Sequence, residues 1–535
     1  MLSSLWSGIQ IETGSLSETV EPTSLPQSEL ISPPNLHIIP NSGRLPLDFL
    51  WGWASSAGQV EGAVQAENRG PSIWDNVVHN VKGFIESDET LDITNNNYYL
   101  YKQDTQRLKQ FGVPAYSFSI SWSRVFPFGN GTVNRAGLQH YIDLVDDLVD
   151  NNISPIVTLY HWDIPQALQN WYGGWLDRKV VDDFAVYARE LFHALSPKVK
   201  LWITVNEPQV ICTDYEKWPL TVPDEVFPVH GMFDSAQRKY TCGHNILLAH
   251  AKVVEIFRQE IEPIYGNGKI GFANSWDFTP PLTDSSDDLT ASWRSLDFTA
   301  GWFSEPVYLT GDYPETMRYT LGTLLPEFSE SEKKSILGSA DFYAWDSYTG
   351  HPMKAPVEGI DACVNDTGNA LWPMCAEDVF TLDGDWNIGD MSDPGVSEWL
   401  YNTPDLFQDA VRWSWAKYPV SEYIIPEFGF SQWKESEMDE AHARYDESRV
   451  TYFSEYLDRI LNLVNQYHVN ITTVIAWSSY DNLEWRQGTK TRFGLQRYDY
   501  DTNKISFKKS AFYMREFFRQ YIPSTKPPSN AVLSA

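Results

Sequence analysis

Positive charge is scarce in this chain. Its 535 residues carry 40 Lys and Arg against 71 Asp and Glu, a formal net charge of −31. Such a surface repels phosphates, which argues against a nucleic acid or an anionic membrane as partner and disfavours a highly charged anionic substrate. Cysteine is scarcer still: Cys212, Cys242, Cys363 and Cys375 are the full set. No CxxC pair occurs, which argues against a zinc ribbon. Long apolar runs are missing too, so no stretch is fit to span a membrane. The first basic residue is Arg44, and no apolar run precedes it, so no signal peptide is visible as the chain stands. No linker, low-complexity tract or long charge block interrupts the interior, which favours one large domain over several.

What is present supports a large core: 42% of residues are hydrophobic and only 21% charged. Aromatic residues reach 14%, with 22 Trp. Most belong in a core, but exposed Trp and Tyr faces are what flat sugar rings pack on. Residues 1–40 are Ser-, Pro- and Glu-rich without periodicity and read as a flexible tail. Residues 524–535 read as a second tail, leaving 41–523 as the folded unit. Cys363 and Cys375 flank a polar, loop-like stretch, CVNDTGNALWPMC. Either a disulfide or two reduced thiols fits that placement. Sequons at Asn130, Asn152, Asn365 and Asn470 permit glycosylation and a secretory history. An extracellular location is therefore expected, with a cytoplasmic one as the alternative.

Short apolar runs recur along the interior: FLWGWA, AYSFSIS, ISPIVTLY, LWITV, KIGFANS, DFYAW, EYIIP and TTVIAWSS. Between them lie stretches with apolar residues every three or four positions, among them LQHYIDLVDDLVDN, VVDDFAVYARELFHAL, HNILLAHAKVVEIFRQEI and VTYFSEYLDRILNLVNQY. Strand and helix alternating eight times predict a (β/α)8 barrel with long βα loops. No GxGxxG follows the first strand, which disfavours a doubly wound sheet.

Barrel chemistry sits at the C-terminal ends of the strands. Read there, the first strand leads to Gln59 and the third to His161 and Trp162. The fourth ends at Asn206 and Glu207, the sixth leads to Tyr348, and the seventh ends at Glu427. The eighth carries Trp477 and leads to Glu484 and Trp485. Two carboxylates facing one pocket suit glycosidic bond cleavage: one protonates the leaving oxygen, the other attacks the anomeric carbon or activates water. Glu207 suits the acid role, because its amide and proline neighbours bring no opposite charge; the plainer reading is a helix cap. His161 lacks ligand-spaced partners, so it is a hydrogen-bond donor or a packed core histidine. Glu484 can accept two sugar hydroxyls, or it is a solvated surface acid.

TVNEP, FLWGWASSAGQVEGA, SFSISWSRVFP, TLYHWDIPQAL, GHNILLAHAK, GKIGFA, GDYPETM, LPEFSESE and DNLEWRQGTKTRFGL closely resemble the family 1 glycoside hydrolases, the β-glucosidase family, over about residues 47–521. The resemblance implies a retaining β-glycosidase with neither metal nor organic cofactor, whose carboxyls stand about 5–5.5 Å apart. It implies Glu207 as acid/base and Glu427 as nucleophile. Gln59, His161, Asn206, Glu484 and Trp485 match residues that hold the first sugar. Trp477 matches the floor beneath it, and Tyr348 the partner of the nucleophile.

The chain departs from the family around the nucleophile. PEFG stands where TENG is usual, placing Pro426 and Phe428 beside Glu427. Ser117 takes the place of an Arg, and Asp346 followed by Ser347 replaces the start of an NYY motif. Losing a cation and gaining a carboxylate both raise the pKa of Glu427, unless another base such as Arg124 compensates. The expected activity is hydrolysis of terminal non-reducing β-D-glucosyl residues from a small glucoside or oligosaccharide. A glycan-binding pseudoenzyme is the reading from another class. β-Galactoside or β-mannoside hydrolysis, β-glucan trimming and transglycosylation are the alternatives within the enzyme class.

Overall fold

A computed structural model describes residues 2–523 except Ile39, Asp383 and Asp385. Eight parallel strands close a barrel in the order β1-β8-β7-β6-β5-β4-β3-β2. They are β1 (Leu50–Ala54), β2 (Ala115–Ser119), β3 (Ser154–Tyr160), β4 (Leu201–Asn206), β5 (Lys269–Ser275), β6 (Tyr343–Asp346), β7 (Tyr423–Ile425) and β8 (Ile471–Ala476). Each of the eight apolar runs thus supplies one strand. Their near-continuous apolar character follows from burial on both faces, by the barrel interior and by the surrounding helices.

Each of the four periodic stretches falls in one of the helices around the barrel. These helices include α1 (Asn97–Phe111), α2 (Arg135–Asp150), α3 (Lys179–Leu195), α4 (Pro208–Lys217), α5 (Ser235–Ile256), α6 (Pro404–Lys417), α7 (Glu447–Asn465) and α8 (Lys509–Tyr521), with further helices, Ser286–Leu296 among them, in the connections. Helix α3 buries Val180, Val181, Phe184, Tyr187, Ala188, Leu191 and Leu195, a stripe at spacings of three and four. Helix α5 starts nine residues before His244, because the Asp234 carboxylate caps the Gln237 N–H at 2.8 Å.

The long connection after β6 holds six short strand segments in three antiparallel pairs and the turn closed by a Cys363–Cys375 disulfide. Of the two readings of that cysteine pair, the bonded one holds. Cys212 on α4 and Cys242 on α5 are buried and unbridged.

The N-terminal segment corrects the expectation of a flexible tail. It has little regular structure, as its composition dictates, but it lies against the barrel. Trp6 is buried and donates from Nε1 to the Arg69 carbonyl at 3.1 Å. The Glu12 N–H meets Asp92 at 2.8 Å, the Val20 N–H meets the Tyr99 carbonyl at 2.9 Å, and Leu25 meets Gln110 on α1 at 2.9 Å. Arg515 on α8 then holds Ser32 at 2.8 Å. Sparse apolar anchors and backbone hydrogen bonds suffice here because the surface they meet is already built. The expected tail at 524–535 lies outside the described residues. No described helix is long and apolar enough to cross a membrane.

Candidate active site

The NEP stretch shows how the chain places a carboxylate. Strand β4 ends at Asn206, and Pro208 opens α4 at the position where a missing N–H costs nothing. Between them Glu207 takes φ +47° and aims its side chain at the barrel mouth. It makes no capping bond to α4, so the helix-cap reading of Glu207 does not hold. Trp162 (φ +74°) and Trp485 (φ +43°) are also left-handed. Such strain costs roughly 1–3 kcal/mol per residue and persists where the surroundings impose it. All three residues line one cavity of about 590 Å³.

The same cavity is lined by His161, Tyr348, Glu427, Trp477 and Glu484. Asn206 and Gln59 stand just behind and reach it through their amides. Asn206 Nδ2 donates to Glu427 Oε1 at 3.2 Å, and the Tyr348 hydroxyl donates to Glu427 Oε2 at 2.8 Å. Gln59 Nε2 donates to the Leu483 carbonyl at 3.0 Å and to Glu484 Oε2 at 3.4 Å. Trp477 Nε1 reaches that same Glu484 oxygen at 3.4 Å. The Trp162 and Trp485 rings stack at 4.7 Å, and Trp162 Nε1 donates to the Asn206 carbonyl at 3.2 Å. All ten residues read from the strand ends therefore converge on one mouth.

Electrostatically the pocket is a cluster of largely buried acids. Burial pushes Glu207 up to about 7; a Ser275 hydrogen bond opposes the rise and Asp277 adds to it. Burial and the Glu207 charge push Glu427 well above the usual carboxylate range, while Tyr348 and Asn206 work against them. Both acids are raised, and Glu427 accepts from two neutral donors, Tyr348 and Asn206, that favour its anion. Burial lifts Glu484 to about 8, against hydrogen bonds from Trp477 and Gln59. Burial also lowers His161 to about 3, so it is a neutral imidazole. Among the described residues lining the cavity, Lys217 is the one lysine or arginine, and it is exposed.

Arg124 does not compensate for the missing Arg at Ser117. It is held by Glu61 at 2.9 Å and by the Gly62 carbonyl at 3.2 Å. Phe428 has turned to packing: it is buried, with its ring 5.2 Å from Phe453 on α7. The strand-end reading missed Val210, Lys217, Ser275, Asp277, Trp399 and Phe493, which also line the cavity. Ser275 was within reach of the same rule, since it is the last residue of β5; the others lie on helices and loops whose paths no strand pattern reveals. Among the described residues, no group of three or more His, Cys, Asp or Glu is placed to hold a metal ion.

Comparison with known proteins agrees with this geometry. The chain is 35% identical to Beta-glucosidase 1B of Phanerodontia chrysosporium over 493 residues, covering 91% of this chain and 88% of that protein. It is 34% identical to Beta-glucosidase 34 of Oryza sativa subsp. japonica, covering 90% of this chain and 92% of that one. A family 1 β-glucosidase from the fungus Humicola insolens, solved in complex with glucose, superposes with a TM-score of 0.83 at 35% identity, covering 90% of this chain and all of that one. The profile of glycosyl hydrolase family 1 matches residues 41–521, and the chain belongs to that family.

Proposed function

We propose that the protein hydrolyses terminal non-reducing β-D-glucosyl residues from small glucosides or oligosaccharides, with retention of configuration. The observation that carries this reading is the contrast between the two buried glutamates. Glu427 is held by two neutral donors that favour its anion, and Glu207 is raised to about 7 and keeps its proton in mildly acidic solution. Glu427 attacks the anomeric carbon as Glu207 protonates the departing oxygen. The Glu207 carboxylate so formed then takes a proton from the water that cleaves the glycosyl-enzyme. Gln59 and Glu484 form one hydroxyl-binding edge, His161 and Asn206 a second, and Trp477 lies beneath the ring.

The β-glucosidase relatives support glucose as the sugar. A mutant rice β-glucosidase solved in a covalent complex with Glc, 33% identical to this chain, supports a covalent intermediate. An extracellular location is supported by the Cys363–Cys375 disulfide, since such bonds persist in oxidising compartments.

The test is incubation with aryl β-glucoside, β-galactoside and β-mannoside over a pH series, with Glu427→Gln and Glu207→Ala alongside. Glucoside turnover that vanishes in Glu427→Gln, together with its covalent trapping by a 2-fluoro glucoside, is the expected result. A Glu427→Gln variant with wild-type rates sinks the nucleophile assignment. Sugar binding without turnover of any glycoside would make the protein a lectin-like relative instead.

A further inference from the structure

Asp346 ends β6, lines the catalytic cavity and is 1% exposed. Neither of its carboxyl oxygens has a hydrogen-bond partner among the described residues. An ionised carboxylate in that position carries a desolvation cost of several kcal/mol unless a cation answers it. None does. The titratable groups that face it are Glu427 beyond β7 and Glu207 beyond β4, with Tyr348 two residues along its own chain. Asp277 beyond β5 and Glu484 beyond β8 are further acids around those two glutamates, and neither is a cation. Ser275, its register partner on β5, is neutral. Arg124 is committed to Glu61, and Lys217 is exposed.

A protonated carboxyl offers one O–H donor and one acceptor oxygen, the same pair of functions an amide offers. We propose that Asp346 works as a neutral carboxylic acid, an amide-like positioning group beside the two glutamates that leaves the negative charge of the reacting pair to Glu427. The inference rests on the roles given above to Glu207 and Glu427. Burial first, then the charges of Glu427 and Glu207, push Asp346 well above the usual carboxylate range, in keeping with that state. The substitution from the family's Asn is therefore nearly silent in shape and polarity while the proton stays on. Of the three carboxyls at the ends of β4, β6 and β7, Glu207 and Asp346 then carry protons and Glu427 is the anion.

The experiment uses the full chain and two variants, Asp346→Asn and Asp346→Leu. Difference infrared spectra across a pH titration follow the C=O stretch of protonated carboxyls, and the pH profile of kcat/KM on an aryl β-glucoside gives the second readout. Beside the protonated-carboxyl absorption of Glu207 and Glu484, one further component should persist to neutral pH and be lost in Asp346→Asn. Asp346→Leu should lower kcat/KM about tenfold or more, and Asp346→Asn should restore most of that loss. The acid limb should stay in place in Asp346→Asn, because one neutral group replaces another. If Asp346 were ionised, its removal would relieve repulsion on Glu427 and move the acid limb down by about one pH unit or more. That shift, an unchanged infrared band, or an Asn variant as impaired as the Leu variant each overturns the proposal. Should the wild type turn over no glycoside, the catalytic reading fails, and the infrared arm still decides the protonation of Asp346.

Discussion

Asp481 and Glu484 lie three residues apart on the loop after β8, the first buried and the second half-buried in the cavity wall, and their surroundings push them in opposite directions. Burial raises Asp481, but Lys508, Arg492 and Arg449 outweigh it and hold it below the usual carboxylate range. Lys508 Nζ stands 2.5 Å from it, and the Gly494 N–H donates at 3.1 Å. The same cluster takes in Glu435, at 2.6 Å from Arg449, and Asp446, at 2.5 Å from Arg449. It ties the loops after β7 and β8 to α7 and to the approach to α8. Glu484 meets only the neutral donors of Trp477 and Gln59 and rises to about 8. What separates a structural acid from a site acid is the cation, not the burial. Fixed countercharge freezes protonation, and its absence leaves a carboxyl able to trade a proton near neutrality. Ser117, where family members usually carry an Arg, brings no cation to that zone.

The comparison breaks most sharply at the pocket. Glu207→Gln should cost about 10²–10⁴-fold in kcat/KM on substrates with poor leaving groups. It should also remove the alkaline limb, since the active form is lost as pH rises through about 7 and Glu207 surrenders its proton. A limb that survives in the pH–rate profile would belong to another group, Glu484 first. At the structural cluster the cost should fall on stability. Arg449→Met leaves Glu435 and Asp446 buried with less countercharge, which should destabilise the fold by about 3–5 kcal/mol. Denaturant unfolding reads this directly, and a change under about 1 kcal/mol would mean that the cluster behaves like an exposed pair. The smallest effect sharpens the boundary between the regions. Ser117→Arg should bring a cation toward Glu427 and lower the acid limb by about one pH unit. The sign follows from the requirement that Glu427 be ionised: a lower pKa keeps the active form to lower pH. An unmoved limb would show that position 117 does not address the nucleophile.

The strands were legible because eight buried, largely apolar runs of five to eight residues have no other stable use in a chain that alternates them with amphipathic helices. The site followed, since a barrel brings the residues after its strands to one rim, however far apart they lie in sequence. Other features were not legible. The N-terminal segment has too few apolar residues to fold alone, and only the finished surface, through Arg69, Asp92 and Arg515 of α8, gives Trp6, Glu12 and Ser32 their partners. Nothing in WRQG or HWD betrays a left-handed backbone at Trp485 or Trp162, because that strain is imposed by the packing around the cavity.

By itself the sequence determined the barrel, its strand order and the pair of glutamates at the mouth, since periodicity and local chain direction decide these. The identities of Ser117 and Asp346 were plain in it as well. Only the tertiary structure decided what they mean. Whether Arg124 answers the missing cation, whether Asp346 finds a partner, and whether Asp481 or Glu484 keeps its proton all depend on which groups from distant strands come within a few ångströms. In a medium from which water is excluded, charge interactions at those distances outweigh anything local sequence dictates.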